Sequence, residues 1–544
     1  MISVPGYANP SFHPRCSLPA QEIMSAYSSS SRSSTDESHI GLLDEKRHLD
    51  DYERASGLAT WFTSRTQNEL LTSRPCLPLR QLGRLLKQLL YILLPSFLHP
   101  HRYTASEKSD TLPPTAFLDS CRGLAALIVM FTHILYGSFN ITYAWGANPE
   151  SNGGFHDQQV NREFLRLPIV RLLYSGPPMV QIFFVISGYA LSYKPLKLMR
   201  SGLSEKLMTT MTSSIFRRGL RLFLPCFAST FLVICLAQLN LYKITEPFAK
   251  GMRNLHEDHC YTQPNLWLQF VDWLQQMLIF VNVFDWSLYA GSVELDRHLW
   301  TIPVEFRCSM ALFLTQMAVA RMTTKMRIST FTLLIIWGVS WGRWDLCPFL
   351  AGAVIAELDI IWSSTSAKLP ITTVRTGSRR ASLATNGIHC GTLLCSLFLL
   401  SYPDAAGHAT PGYITLTKLI PPGFTEMHRF WPTIGAILII WSLSRIDFLR
   451  NHVLCWSPLQ YLGKISFPLY VMHGPIIHTL GYLVLPKTPE VETPEIMRQF
   501  ELEFLRSSVL IVFTVIWAAD VFLRVVDTPC VTLTKKLERM LFVT

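Results

Sequence analysis

The 544-residue sequence is 49% hydrophobic and only 16% charged, against roughly a quarter charged in a soluble domain. With a mean hydropathy of +0.25, it belongs among chains that place much of their surface in lipid. The formal net charge of +10 fits basic loops facing anionic lipid, and no basic run interleaved with aromatics argues for nucleic acid. Twelve cysteines show no CxxC spacing. Several, such as Cys226, Cys235 and Cys395, stand inside apolar runs as small core hydrophobes, which argues against a disulfide framework or zinc site.

Residues 1–79 read as a disordered cytoplasmic tail. The stretch is Ser-rich and charged, without the apolar region of a signal peptide. Residues 80–115 read as an amphipathic, interfacial segment. Within it 80–98 carries basic residues early and apolar residues late, with Pro95 interrupting. Apolar runs then predict spans near 116–138, 178–194, 221–239, 299–320, 328–343, 345–362, 389–402, 431–444, 458–485 (as one helix or two short ones) and 507–526. Segment 265–283 either spans or dips in and returns. The expected fold is therefore all-α, a polytopic membrane helix bundle of about ten transmembrane helices over 116–530. A short tail over 531–544 follows, and the polar loop 363–388 reads as a connector. The basic loop 194–221 and the offset charges between the first two spans place the N-terminus in the cytoplasm. The sequon at Asn140 then faces the opposite side, close to the membrane. No internal repeat is visible, which counts against a transporter.

Polar residues inside the apolar runs are the candidates for chemistry. The first span reads FLDSCRGLAALIVMFTHILYGSFN. Asp119 and Arg122, three apart, are helix neighbours and suit an interfacial ion pair. His133 lies inside the apolar run, where an imidazole must find a partner or line a wet cavity. It is either bonded to a neighbouring helix or a proton acceptor near neutral pH. Eleven residues separate it from Arg122, close to three full turns, so both face one side about 16 Å apart. In the second span Ser187-Gly188 offers a notch for close packing. FRRGLRLFLP follows, where Arg217, Arg218 and Arg221 are either a topological signal or a phosphate site.

HLWTIPVEFRCSM places Glu305 and Arg307 behind Pro303. Glu305 either holds a substrate hydroxyl, orients an imidazole, or pairs with Arg307. In YLGKISFPLYVMHGPIIHTLGY, Gly474-Pro475 predicts a helix end at His473, read as structural. His478, five later, should point elsewhere. His256-Glu-Asp-His259-Cys260 lacks zinc-protease spacing, and no metal site is assigned.

In this order, FLDSCRGLAALIVMFTH, QIFFVISGYAL, RRGLRLFLP, LWTIPVEFRCSM and YLGKISFPLYVMHGP resemble the acyltransferase-3 family of integral membrane acyltransferases, over about 116–526 and closer to its fungal branch. The resemblance implies transfer of an acyl group, often acetyl, to a hydroxyl. The family's motif histidine maps to His133 and its motif arginine to Arg122. Its paired arginines map to Arg217, Arg218 and Arg221, and its Trp-Ser-Leu-x-x-Glu segment to Trp300–Glu305, with Thr301 and Ile302 as mild departures. Bacterial members often carry a lumenal hydrolase-like domain; its absence from these residues implies an acceptor presented to the membrane core.

The expected reaction is direct transfer from acyl-CoA (acetyl-CoA above all), a co-substrate rather than a bound cofactor, to a hydroxyl-bearing small molecule. Arg122, Arg217, Arg218 and Arg221 would bind the donor phosphates, His133 would be the base, and Glu305 would position acceptor or imidazole. A secondary metabolite such as a polyketide or terpenoid is the first choice of acceptor. A cell-surface glycan or sterol comes second, and a multi-pass transporter is the rival outside enzymes. The sequence leaves the oligomeric state open.

Overall fold

A computed structural model describes residues 87, 90–98, 112–113, 115–148, 162–252, 257–287, 289–366, 379–491 and 493–542. The expected tail over 1–79 lies outside them. The described residues are helical, with no strand among them: α1 Ala116–Leu135, α2 Gly176–Arg200, α3 Ser204–Gln238, α4 Leu241–Lys250, α5 Leu266–Phe280, α6 Thr301–Val319, α7 Thr324–Ser340 and α8 Leu346–Ser366. Then come α9 Arg379–Leu400, α10 Met427–Arg445, α11 Ser457–Lys464, α12 Ser466–Ile476, α13 Pro494–Phe522 and α14 Thr528–Leu541. The expected all-α bundle is what forms. Among the described residues, four helical stretches have the length and apolarity to cross a bilayer: Ala116–Leu135, Ser204–Gln238, Leu346–Ser363 and Pro494–Leu541. The other helices are shorter or more polar, so the structure does not establish about ten spans.

The bundle is held by close helix crossings. α2 packs along α8 and α10, and α1 packs against α2, α11 and α12. The notch at Gly188 is used as expected: a methyl there would sit 2.1 Å from the Phe349 carbonyl oxygen of α8. Gly352 answers it, since a Cβ there would fall 2.2 Å from the Val185 carbonyl oxygen. Small residues on both helices let backbones touch without relying on hydrophobic exclusion, which lipid does not supply.

Residues 93–96 lie against α13. Trp517 Nε1 donates to the Leu93 carbonyl (2.7 Å), and Ser96 N donates to the buried Asp520 carboxylate (2.9 Å). Residues 531–541, expected as tail, continue α14 against α3. Segment 458–485 is two short helices, broken at Ile465. The break expected at Gly474-Pro475 comes later. α12 runs on to Ile476 and leaves through a π-turn, Ile477–Gly481.

Candidate active site

α1 buries Ala126, Met130 and Ile134 against Ile465 and Leu469 at the α11–α12 break. This fixes the helix azimuth and turns His133 toward the loops beyond its last turn. His133 is two residues from the end of α1, so it stands at the mouth of the bundle rather than mid-helix, as the long apolar run suggested. Its side chain keeps 23% of its exposure, whereas those of His298 and Glu257 keep 2% and 7%. His133 is thus part-exposed, while His298 and Glu257 are buried behind it.

Those groups come from loops. Asp296 caps the short turn Arg297–Trp300 that leads into α6, accepting from the His298 backbone N–H at 3.1 Å. The same oxygen accepts from His298 Nδ1 at 2.7 Å. One carboxylate thus shapes the turn and locks the ring, in the usual manner of an N-cap. The Tyr470 hydroxyl donates to the His298 carbonyl and shares a 2.6 Å bond with Thr301. Pro303, at the third position of α6, lies where the backbone N–H has no intrahelical partner in any case.

Glu257, in the irregular stretch between α4 and α5, is the hub. Its Oε1 lies 2.9 Å from His298 Nε2 and 3.6 Å from His133 Nδ1. Its Oε2 lies 3.2 Å from His478 Nε2 and accepts from the Tyr482 hydroxyl at 3.3 Å. His478 Nδ1 meets His259 Nδ1 at 3.2 Å, and His259 Nε2 donates to the Tyr242 carbonyl at 2.7 Å. His473 completes the group. Its ring centre is 5.1 Å from that of His133 and 4.6 Å from that of His298. Its Nδ1 donates to the Tyr470 carbonyl at 2.6 Å, leaving Nε2 unpartnered. Gly474 makes room, because a Cβ there would lie 2.6 Å from His298 Nδ1 and 2.7 Å from Asp296 Oδ1.

Burial opposes the charge on Glu257, but the His298 and His478 rings outweigh it and hold the carboxyl well below the usual carboxylate range. Burial likewise works to strip the proton from His298. Glu257 and Asp296 overcome it and raise that imidazole to about 10. His259, with burial dominant, is lowered to about 4. The nitrogens of His133, His298 and His473 come within 4.8 Å of one another, as do the ligand atoms of Glu257, His298 and His478. Both groups run through His298, whose two ring nitrogens face Asp296 Oδ1 and Glu257 Oε1.

The other sequence candidates stand elsewhere. Glu305 does not pair with Arg307, whose guanidinium is bonded to the carbonyls of Asp285, Ser287 and Ala290. Glu305 instead binds Arg218 at 2.6 Å and accepts from Ser187 at 2.9 Å. Two residues apart on a helix point in opposite directions, which is why the Glu305–Arg307 pair does not form. The carboxylate beside the imidazole is Glu257. Arg122 binds Asp119 and Ser466, both at 3.0 Å. Arg217 meets Glu538 at 3.3 Å, and Arg221 lies within electrostatic reach of Asp527, as does Arg122.

His473 and His478, read from sequence as structural and as pointing elsewhere, both face His298. His473 stands near the end of α12 and His478 one residue into the π-turn that follows, and the His298 ring packs against both. The HEDHC run, set aside as a metal motif, supplies Glu257 and His259; His256 lies outside the described residues. Its clustered acid and imidazole side chains were the one signal that pointed to this loop.

The model of the acyltransferase domain of the acyltransferase-3 family matches residues 115–523. The O-acetyltransferase PaAT-1 of Phomopsis amygdali is 33% identical over 411 residues, covering 72% of this chain and 77% of that protein. The acyltransferase R4 of a Phoma species is 27% identical, covering 79% of this chain and 97% of that protein. The acyltransferase clz18 of Cochliobolus lunatus is 27% identical, covering 77% and 95%. No solved structure matches the chain. The matched region takes in every helix from α1 to α13, with the histidine cluster and the arginines at the other end of α1, and the chain belongs to the acyltransferase-3 family of acyltransferases.

Proposed function

We propose that the protein is a membrane O-acyltransferase that moves an acetyl group from acetyl-CoA to a hydroxyl of a small, hydrophobic secondary metabolite, with His133 as general base. The observation that carries this is the placement of His133. It is the part-exposed member of a buried histidine–carboxylate cluster and stands about 16 Å along α1 from Arg122. The acetyl donor is supported by the likeness to an O-acetyltransferase. The acceptor class is supported by a site set at the mouth of apolar helices.

Arg122 and Arg221, with Arg217 beside them on α3, form the cationic end that suits the phosphates of the donor. An extended thioester arm running along α1 then brings its carbonyl to the histidine end. His133 takes the proton of the acceptor hydroxyl, and the oxygen attacks the thioester carbon. The C–S bond breaks, and the departing thiolate takes the proton back from the imidazolium. The products are an ester and free CoA thiol, with no nucleophilic serine or cysteine required. Glu305 keeps Arg218 fixed between α3 and α6 rather than acting on the acceptor.

The test is a comparison of metabolite extracts from a fungal host expressing the wild type or His133→Ala at equal membrane abundance. Mass spectrometry should show a metabolite that gains an acetyl group with the wild type only. An acetylated product of equal yield with His133→Ala refutes the base assignment. Redistribution of an unmodified compound across the membrane, with no ester formed, refutes the enzyme reading in favour of transport.

A further inference from the structure

We propose that Glu257 is the positioning residue of this site: it holds the Nδ1 side of His133, so that Nε2 faces the acceptor, and balances the charge that the ring acquires during transfer. The inference rests on His133 being the base. Three observations carry it. First, His133 Nδ1 is buried and makes no hydrogen bond, and Glu257 Oε1, 3.6 Å away, is the carboxylate oxygen beside it. Catalytic hydrogen bonds are often long before substrate binds and tighten in the reacting complex. Second, Glu257 is itself immobilised. His298, His478 and Tyr482 occupy its oxygens from three sides. Third, the network behind it is charge-compensated: Asp296 anchors His298, and His298 in turn faces Glu257.

The logic is that of a base oriented by a carboxylate, where the third group sets tautomer and direction without touching the substrate. The groups facing the His133 ring are Glu257, His298, His473, His478 and Tyr136. Glu257 is the only anion in that set. Protonation of His133 would place a cation beside the imidazoles of His298, His473 and His478. Glu257 is therefore the group that makes the transient imidazolium tolerable.

The experiment uses the full-length chain in lipid nanodiscs, acetyl-CoA, and as acceptor the deacetylated form of the metabolite identified by the host comparison. Glu257→Gln keeps shape and removes charge. Its kcat should fall by about 10²-fold or more, with the KM for both substrates changed by less than about twofold. A purely structural residue would move stability and both KM values together. Glu257→Asp should regain at least about tenfold of the lost rate, and it carries the test if the Gln variant fails to accumulate. Full kcat in Glu257→Gln, with His133→Ala inactive, overturns the proposal while leaving the base assignment standing. Full activity in His133→Ala overturns the assignment beneath it. Stoichiometric metal on the purified wild type, lost in both Glu257→Gln and His473→Ala, also overturns it, since the cluster would then be a ligand set.

Discussion

The two ends of α1 are built by opposite strategies. At its start, Arg122 bonds to Asp119 one turn away and to Ser466 of α12, and the nearby arginines sit on α3 facing acids of α6 and α14. Every partner is on a helix, and the three carboxylates among them are part-exposed. At its end, His133 meets Glu257 of the irregular stretch before α5, His298 of the short turn before α6, His473 near the end of α12 and His478 within the π-turn that follows it. The first end is a set of replaceable cations in a periodic frame. The second is an interlocked network, buried and dependent on particular backbone turns. Changes at the second end should cost catalysis steeply, and changes at the first should cost binding or stability gradually.

The steepest expected effect is at His133. Replacement by Ala should lower kcat by about 10²–10⁴-fold, with the protein still inserted; a loss confined to KM would place His133 in binding rather than chemistry. Next is Gly474→Ala. The methyl would have to displace the His298 ring or the Asp296 carboxylate, at a cost of roughly 1–3 kcal/mol in stability, and kcat should fall because the Glu257 hub shifts. Normal activity and melting temperature would show that the network tolerates looser geometry.

How much of this was readable in the sequence follows the same division. The all-α bundle and the close crossing at Gly188 are properties of apolar periodicity and small-residue spacing, and both are legible from the sequence alone. The partner of Glu305 was ambiguous because periodicity excludes Arg307 without saying which other helix supplies a cation. Glu257 was hidden because nothing local fixes an irregular loop; its position comes from three histidines distant in sequence. His478 is not legible from spacing because its neighbour, His298, comes from a distant turn that the spacing of α12 says nothing about.

At the arginine end, Arg122→Ala removes one charge-assisted contact and should raise the donor KM by about tenfold with little change in kcat. An unchanged donor KM would take the phosphates elsewhere. Glu305→Ala leaves Arg218 part-buried without its carboxylate and should lower stability by about 1–3 kcal/mol. The double variant Glu305→Ala/Arg218→Ala should recover part of that loss, and strict additivity in thermal unfolding would show the pair to be uncoupled.

The smallest effect is in pH. His298 gains its proton partners on folding, so its contribution is fully present below about 6.5 and lost as pH rises through about 10. Glu257 acts in the opposite sense: its contribution is present above about 4.5 and lost as pH falls through its depressed value. Thermal stability should therefore decline gently on the alkaline side and on the acidic side. His298→Gln should flatten the alkaline slope, and an unaltered slope would mean that His298 is not the titrating group.

The most direct test of the central claim is a single-turnover assay with His133→Gln in nanodiscs, following transfer of labelled acetyl from acetyl-CoA to the identified acceptor. The structure predicts that donor still binds and that no acetylated product forms on the wild-type timescale. Product formation at the wild-type rate would contradict His133 as the base, and with it the role given to the cluster at the end of α1.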